Sequence, residues 1–306
     1  MSLLVVGSVA LDSVETPFGK REDALGGSAT YFSAAASLFT KVSVVGVIGD
    51  DFPLEQLQFL QDRGVDLTGL EKVAGKTFRW SGKYGFDLNA AQTLDTQLNV
   101  FADFDPKLGE GARAATEVFL GNIDPALQLR VLEQVSRPKL VAADTMNYWI
   151  TGKRETLLKL LPKVDVLMVN DGEARQLAGE ANVIKAARAI LRMGVGTVVV
   201  KRGEYGALLC SADETFHAPA FPVADVLDPT GAGDSFAGGF LGLLDRLGNT
   251  ELPALKQAVA MGSTVASFTV EQFSVDCLRT LTLAQVQARF RTLRSLCHFD
   301  ELPELG

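Results

Sequence analysis

Residues Asp228–Ala237 read D-P-T-G-A-G-D-S-F-A, and the chain continues G-G-F-L-G-L-L to Leu244. Pro229 disfavours helix for the residue before it, so a helix would begin after it. Gly231 and Gly233 permit close backbone approach and dihedrals that side chains resist. The small, apolar run that follows has helix length, which puts both glycines at a helix N-terminus. The first N–H groups of a helix have no internal partner, and the helix dipole makes that end positive. Gly231, Ala232 and Gly233 therefore form a candidate anion cradle of backbone alone. Asp234, in the first turn, has two readings. It caps the helix, worth about 1 kcal/mol, or it is a general base beside the cradle, taking a proton from an attacking hydroxyl while the N–H groups hold phosphoryl charge.

Working outward, apolar runs of strand length recur at 3–6, 42–47, 118–120, 140–143, 164–169 and 197–200. Helix-period segments lie between and after them, at 28–39, 54–63, 125–135, 154–161, 184–193, 232–247, 253–268 and 283–296. Continuous apolar strands alternating with helices predict an α/β fold with a mostly parallel sheet covered on both faces. Residues 65–99 break the rhythm. T-F-R-W-S-G-K-Y-G-F-D and Q-T-L-D-T-Q-L-N-V read as half-polar antiparallel strands around a turn at Asp87, Leu88 and Asn89. Phe78, Trp80, Tyr84 and Phe86 alternate, which predicts one aromatic face, with Arg79, Lys83 and Asp87 on the other.

The 306 residues, 47% of them hydrophobic, are enough for a large core, and the net charge of −8 argues against nucleic-acid or acidic-membrane binding. Three scattered cysteines and two histidines offer little for a zinc site or a Ser-His-Asp mechanism. The apolar start, M-S-L-L-V-V-G-S-V-A, lacks a basic n-region and reads as a buried strand rather than a signal peptide. No apolar run approaches the roughly 18 residues of a membrane span. The expected location is the cytoplasm.

D-P-T-G-A-G-D-S-F-A-G-G-F resembles the C-terminal signature of the PfkB or ribokinase-like family of carbohydrate and nucleoside kinases. Further segments support the resemblance in order. G-S-V-A-L-D ends at Asp12, where the family binds substrate hydroxyls; the plain alternative is a turn-capping loop aspartate. L-G-G-S-A-T-Y-F, 25–32, resembles the Gly-Gly-Asn substrate loop through Gly26 and Gly27, with Ser28 in place of Asn; serine is also a good N-cap. N-D-G-E matches the N-x-x-E motif, implying that Asn170 and Glu173 organise Mg²⁺ and phosphate, although Glu173 also suits a helix dipole. V-V-V-K-R-G-E-Y-G-A-L-L resembles the nucleotide loop through Gly203 and Gly206, with Lys201 where Thr is usual. D-T-M-N-Y-W, 144–149, matches the family's D-x-N-x-R segment only loosely, and no role is carried onto it.

The resemblance implies a single ribokinase-like domain over 1–306. Its fold would be a three-layer α/β/α sandwich, with a small β-sheet lid at about 65–99 and a second lid strand near 12–25. It implies an ATP-dependent phosphotransferase acting on a primary hydroxyl of a sugar. Asp234 would be the base, Gly231, Ala232 and Gly233 the anion hole, and Asp12, Gly26, Gly27 and Ser28 the acceptor site. Asn170, Glu173, Lys201, Gly203, Gly206 and Asp228 would serve ATP and Mg²⁺, with Glu173 reaching Mg²⁺ through water. A monovalent cation such as K⁺ would sit near Asp225 and Ser267. In relatives the lid doubles as a homodimer surface. No Walker A string is present. The alternatives are a nucleoside kinase of the adenosine type, a non-catalytic ligand-binding member, and a phosphosugar kinase. The last would need a basic group such as Lys20, Arg21 or Arg79 near the acceptor.

Overall fold

The computed structural model describes residues 3–300. In chain order the strands are β1 (Leu3–Val6), β2 (Ala10–Thr16), β3 (Gly19–Gly26), β4 (Val42–Ile48), β5 (Asp66–Lys72), β6 (Arg79–Tyr84) and β7 (Ala91–Gln97). There follow β8 (Glu117–Leu120), β9 (Leu140–Asp144), β10 (Val166–Asn170), β11 (Thr197–Lys201), β12 (Ala207–Cys210) and β13 (Thr215–Ala218). Nine of them form one sheet in the order β13-β12-β11-β10-β9-β8-β1-β4-β5. It is parallel from β11 to β5 and turns antiparallel only at β12 and β13.

The continuous apolar strands are buried on both faces, as the run lengths predict. Alternate residues serve opposite cores. Leu3, Val5, Phe119, Met168 and Val199 face Phe32, Phe240 and Val265, from the helices Ser28–Ala36, Ala232–Leu247 and Leu252–Thr269. Leu4, Val6, Val118, Leu167 and Val200 face Leu157, Leu177 and Ile190. Small residues let the first core close tightly. A Cβ on Gly238 would lie 2.4 Å from the Phe32 carbonyl oxygen, so the signature helix runs almost against the helix Ser28–Ala36.

A second sheet, β3-β2-β6-β7, stands apart. Half of it comes from 10–26, the stretch of the expected second lid strand, where β2 and β3 form an antiparallel hairpin and β6 runs parallel to β2, with Asp12 opposite Trp80. It differs from the predicted excursion at β5, which lies inside 65–99 but is instead the edge strand of the main sheet, parallel to β4. Its half-polar pattern reflects an exposed edge rather than membership of the lid. The aromatic alternation is also shorter than predicted. Trp80 and Tyr84 share a face, with the Trp80 ring lying over Gly82, but Phe78 stacks on Phe101 at 5.4 Å and Phe86 is exposed beyond the strand end.

The segment 54–63 begins as a 3₁₀ turn, Leu54–Leu57, before the α-helix Gln58–Asp62. Among the described residues no helix is long and apolar enough to cross a membrane.

Candidate active site

The helix Ala232–Leu247 starts on Gly231, whose φ of +74 is left-handed and whose Cβ would lie 2.3 Å from the Tyr31 ring. Only glycine fits there. No side chain caps this helix end. Ala232 N–H is engaged by the Pro229 carbonyl at 3.2 Å, while no acceptor for the Gly233 N–H is found among the described residues. That free donor and the positive helix end suit an anion. Asp234 follows in the first turn. Burial pushes its carboxyl up to about 7, with the Asp144 charge adding to the rise and the Lys201 ammonium opposing it.

On one side of this helix end stand Asp12 and the Gly26–Gly27 turn. Asp12 lies under Gly26: a Cβ there would come within 1.9 Å of its Oδ2. Gly27 has φ +93 and a virtual Cβ 2.4 Å from the Ser8 carbonyl oxygen, so this turn also requires glycine. Burial raises the Asp12 carboxyl to about 7. The Gly27 N–H counters that rise, and the charges of Asp228 and Asp234 reinforce it. Three carboxyls from three elements thus converge.

Ser28 is buried and fully engaged with Ser8. Its Oγ accepts from Ser8 N–H at 3.1 Å and lies 3.3 Å from Ser8 Oγ, and its own N–H donates to that Oγ at 3.0 Å. Asp228 is buried too, accepting from Thr230 N–H (2.9 Å) and Ser274 N–H (3.1 Å), which ties the signature to the loop before residues 276–280. Two tyrosines complete this side, Tyr84 from the predicted aromatic face of the lid and Tyr31, which the sequence reading gave no role. Tyr31 lies flat against Gly231, and Tyr84 brings its hydroxyl from the lid to 3.3 Å from Thr230 Oγ1. Burial pushes the Tyr84 phenol up to about 12.

On the other side lie the C-terminal ends of β9, β10 and β11. Asn170 and Lys201 are paired in register across β10 and β11. Asn170 caps the helix Asp171–Ala178 in a reciprocal box, accepting from Glu173 N–H at 2.8 Å and donating its own N–H to Glu173 Oε2 at 2.7 Å. The dipole role anticipated for Glu173 is therefore filled. Its carboxyl is nonetheless raised to about 7, by burial first and then by Asp144, against the pull of Lys201. Lys201 Nζ pairs with Asp144 Oδ2 at 2.7 Å and would stand 2.9 Å from a Cβ on Gly233. Asp144 is the acidic residue that the loose D-T-M-N-Y-W match left without a role. Its signal was its place at a strand's C-terminal end.

Gly203 and Gly206, with φ +54 and +81, shape the turn after β11, which the Arg202 N–H closes onto the Gly206 carbonyl at 2.8 Å. A Cβ on Gly203 would meet Asn89 Oδ1 at 2.0 Å, so the lid turn reaches this loop. The two residues selected for a monovalent cation fare differently. Asp225 is exposed. Ser267 Oγ donates to the Thr264 carbonyl (2.7 Å) and accepts from Arg289 (3.1 Å), so a guanidinium already sits where that hydroxyl would need a cation. Among the described residues no group of three or more His, Cys, Asp or Glu side chains is placed to hold a metal. Mg²⁺ keeps waters and takes few protein ligands, which leaves the Glu173 carboxyl as a fitting outer partner.

The family model described as pfkB family carbohydrate kinase matches residues 4–280. The chain belongs to the pfkB family. Among pfkB-family relatives, a cytidine kinase of Thermococcus kodakarensis is 32% identical over 248 residues, covering 79% of this chain and 87% of that one. The structure of a Burkholderia thailandensis nucleoside kinase in complex with inosine superposes with a TM-score of 0.75 at 20% identity, covering 96% of this chain and 99% of that one. A putative ribokinase II from E. coli in complex with ATP and Mg²⁺ gives 0.76 at 20% identity, covering 95% and 99%. The likeness to these structures establishes the ribokinase-like fold.

Proposed function

We propose that this pfkB-family protein is an ATP-dependent phosphotransferase acting on a primary hydroxyl of a sugar, free or within a nucleoside. The observation that carries the reading is Asp234. It is a partly buried carboxyl at a helix N-terminus, between the unpartnered Gly233 N–H and the Lys201 ammonium on one side and Asp12 on the other. ATP would lie across the C-terminal ends of the parallel strands, where open α/β sheets take ligands. Its γ-phosphoryl group would meet the free Gly233 N–H at the glycine-shaped helix end.

Asp12 and the Gly26–Gly27 backbone would orient the acceptor, with Ser28 acting through the Ser8 bonds that hold this loop. The acceptor oxygen forms its bond to the γ-phosphorus as its proton passes to Asp234. The bond from phosphorus to the bridging oxygen breaks, and its electron pair leaves with ADP. Mg²⁺, when bound, would offset charge on the phosphates, with Glu173 and Asn170 positioned to hold its waters. The lid, whose Tyr84 closes on Thr230, would exclude water from the transfer.

A second reading narrows the acceptor to a nucleoside. It is favoured by the Thermococcus cytidine kinase likeness and by the two tyrosines at the signature turn, Tyr31 against Gly231 and Tyr84 at Thr230. The phosphosugar reading loses support. Its three basic candidates are all engaged, Lys20 with Glu22, Arg21 with Asp276, and Arg79 with Asp51 and Asp23. A non-catalytic role leaves the free Gly233 N–H and the Lys201 ammonium beside it without a purpose.

The test is acceptor-dependent ADP release from Mg·ATP, with and without K⁺, over ribose, fructose, deoxygluconate, fructose phosphate, adenosine, inosine and cytidine. Asp234→Asn is the control. Release confined to one acceptor class and lost in the variant supports the reading. ATP binding without any acceptor-dependent release rejects it.

A further inference from the structure

We propose that Asp144 is a positioning residue for this phosphoryl transfer: it holds the Lys201 ammonium against the anion cradle, so that one fixed cation faces the terminal phosphoryl group. This rests on the kinase reading above and adds to it a residue that the family match did not assign.

Asp144 is firmly held. It ends β9 and is buried. Its Oδ1 accepts from Thr145 N–H at 2.7 Å, which leaves Oδ2 for Lys201. Its carbonyl oxygen accepts from Gln128 Nε2 at 3.0 Å, and the same buried amide also binds the Gly121 carbonyl at 2.8 Å. The carboxylate is thus fixed through its neighbours on two strand ends and a helix. Lys201 ends β11, with its stem buried and its head 2.7 Å from Asp144.

Lys201 sits among acidic groups. Its charged neighbours are Asp144, Glu173 and Asp234, one from each adjoining element. A lysine among three carboxyls can pair with any within reach of its flexible stem. Were it to pair with Asp234, it would hold that carboxylate ionised and weaken it as a proton acceptor. Asp144 draws the ammonium away from the base and leaves it beside Gly233, where the terminal phosphoryl group would rest. Burial pushes the Lys201 ammonium towards neutrality, and Asp144 and Glu173 more than reverse this. Lys201 therefore keeps its ammonium form beside the cradle, in a chain that has no Walker A lysine.

A strand-end staple would show the same bond, so the test needs a readout that a staple does not move. Binding of a non-hydrolysable ATP analogue and of ADP, each with Mg²⁺, is measured by calorimetry. The full-length proteins are wild type, Asp144→Asn, Lys201→Met and the double variant, with folding checked by circular dichroism. Wild type is expected to prefer the analogue. Each single variant should lose about tenfold or more of that preference, and the double variant should be no worse than Lys201→Met, because Asp144 acts through Lys201. In turnover assays Asp144→Asn should lower kcat about 10²-fold, the scale of a misplaced catalytic group, at an unchanged acceptor KM.

A folded Asp144→Asn that keeps the wild-type preference overturns the proposal. So does a double variant that falls well below Lys201→Met, a comparison that holds even if the single Asp144 variant fails to fold, since a neutralised pair is better tolerated than half of one. If wild type releases no ADP with any acceptor, the kinase reading fails while the binding comparison still decides the Asp144–Lys201 assignment.

Discussion

One helix, Ala232–Leu247, carries an aspartate near each end and begins and ends on a left-handed glycine, yet its ends do opposite things. At the N-terminal end Asp234 meets the positive pole of the helix, the open Gly233 N–H and Lys201. At the C-terminal end Asp245 is buried against the negative pole. There it accepts from Thr40 Oγ1 and keeps an unpartnered Oδ1, and its charge joins burial in raising the Glu117 carboxyl to about 8. A buried aspartate beside a glycine is therefore no mark of a catalytic base. What distinguishes the upper end is the unspent Gly233 N–H with the Lys201 ammonium beside it.

The contrast breaks or holds at Asp234→Asn. It should lower turnover by about 10²–10⁴-fold, the range for a lost general base. Asp245→Asn should leave turnover per folded molecule at the wild-type level, and steady-state assays on both settle the point. The capping glycines come next. Gly231→Ala forces φ +74 on a side chain and drives a methyl into Tyr31, and should cost about 1–3 kcal/mol and most of the turnover. Gly248→Ala, at φ +69, should cost about 1–2 kcal/mol and spare turnover. Urea unfolding beside turnover separates the two.

Acidity comes third. Asp234 must be ionised to accept a proton, so kcat/KM should fall at least tenfold per pH unit below pH about 7, and more steeply where Asp12 and Glu173 titrate on the same limb. The lower end should titrate in stability instead. Folded Glu117 keeps its proton to about pH 8, while the unfolded residue releases it near its ordinary 4.5. The native state then binds more protons across that window, and stability falls as pH rises through it. Glu117→Gln should flatten the drop in melting temperature between pH 5 and 8 without moving the turnover limb. The smallest effect belongs to Tyr84→Phe. Losing one hydroxyl contact, worth about 0.5–1.5 kcal/mol, should raise the acceptor KM a few-fold at constant kcat.

What was legible in the chain was local. The signature carries its own turn, helix start and carboxyl within ten residues, and the buried strands announce themselves by unbroken apolar runs. What was not legible depends on partners far away in sequence. Asp144 and Lys201 are 57 residues apart and meet only because β9 and β11 flank β10. Tyr84 gains its place from a contact across 146 residues. Ser28 looked open to a substrate because nothing in its own segment shows Ser8 folding back onto it. The sequence does not separate β5 from the lid, because an exposed edge strand and a projecting strand have the same half-polar pattern.

The lid is woven from two separate lengths of chain, and β2 runs in both of its roles at once: it pairs with β6 over Leu11–Glu15 and carries Asp12. This has a consequence for how acceptor preference can change over time or be transplanted. The hairpin β6–β7 is not a cassette. Exchanging it alone would set a foreign strand against the register that aims Asp12, while exchanging 10–26 alone would orphan the native hairpin. Inheritance of a new acceptor would therefore proceed by paired changes in two distant stretches, or by point substitutions on the shared face, and chimeras cut at 79–97 alone should fold with a misdirected acceptor site.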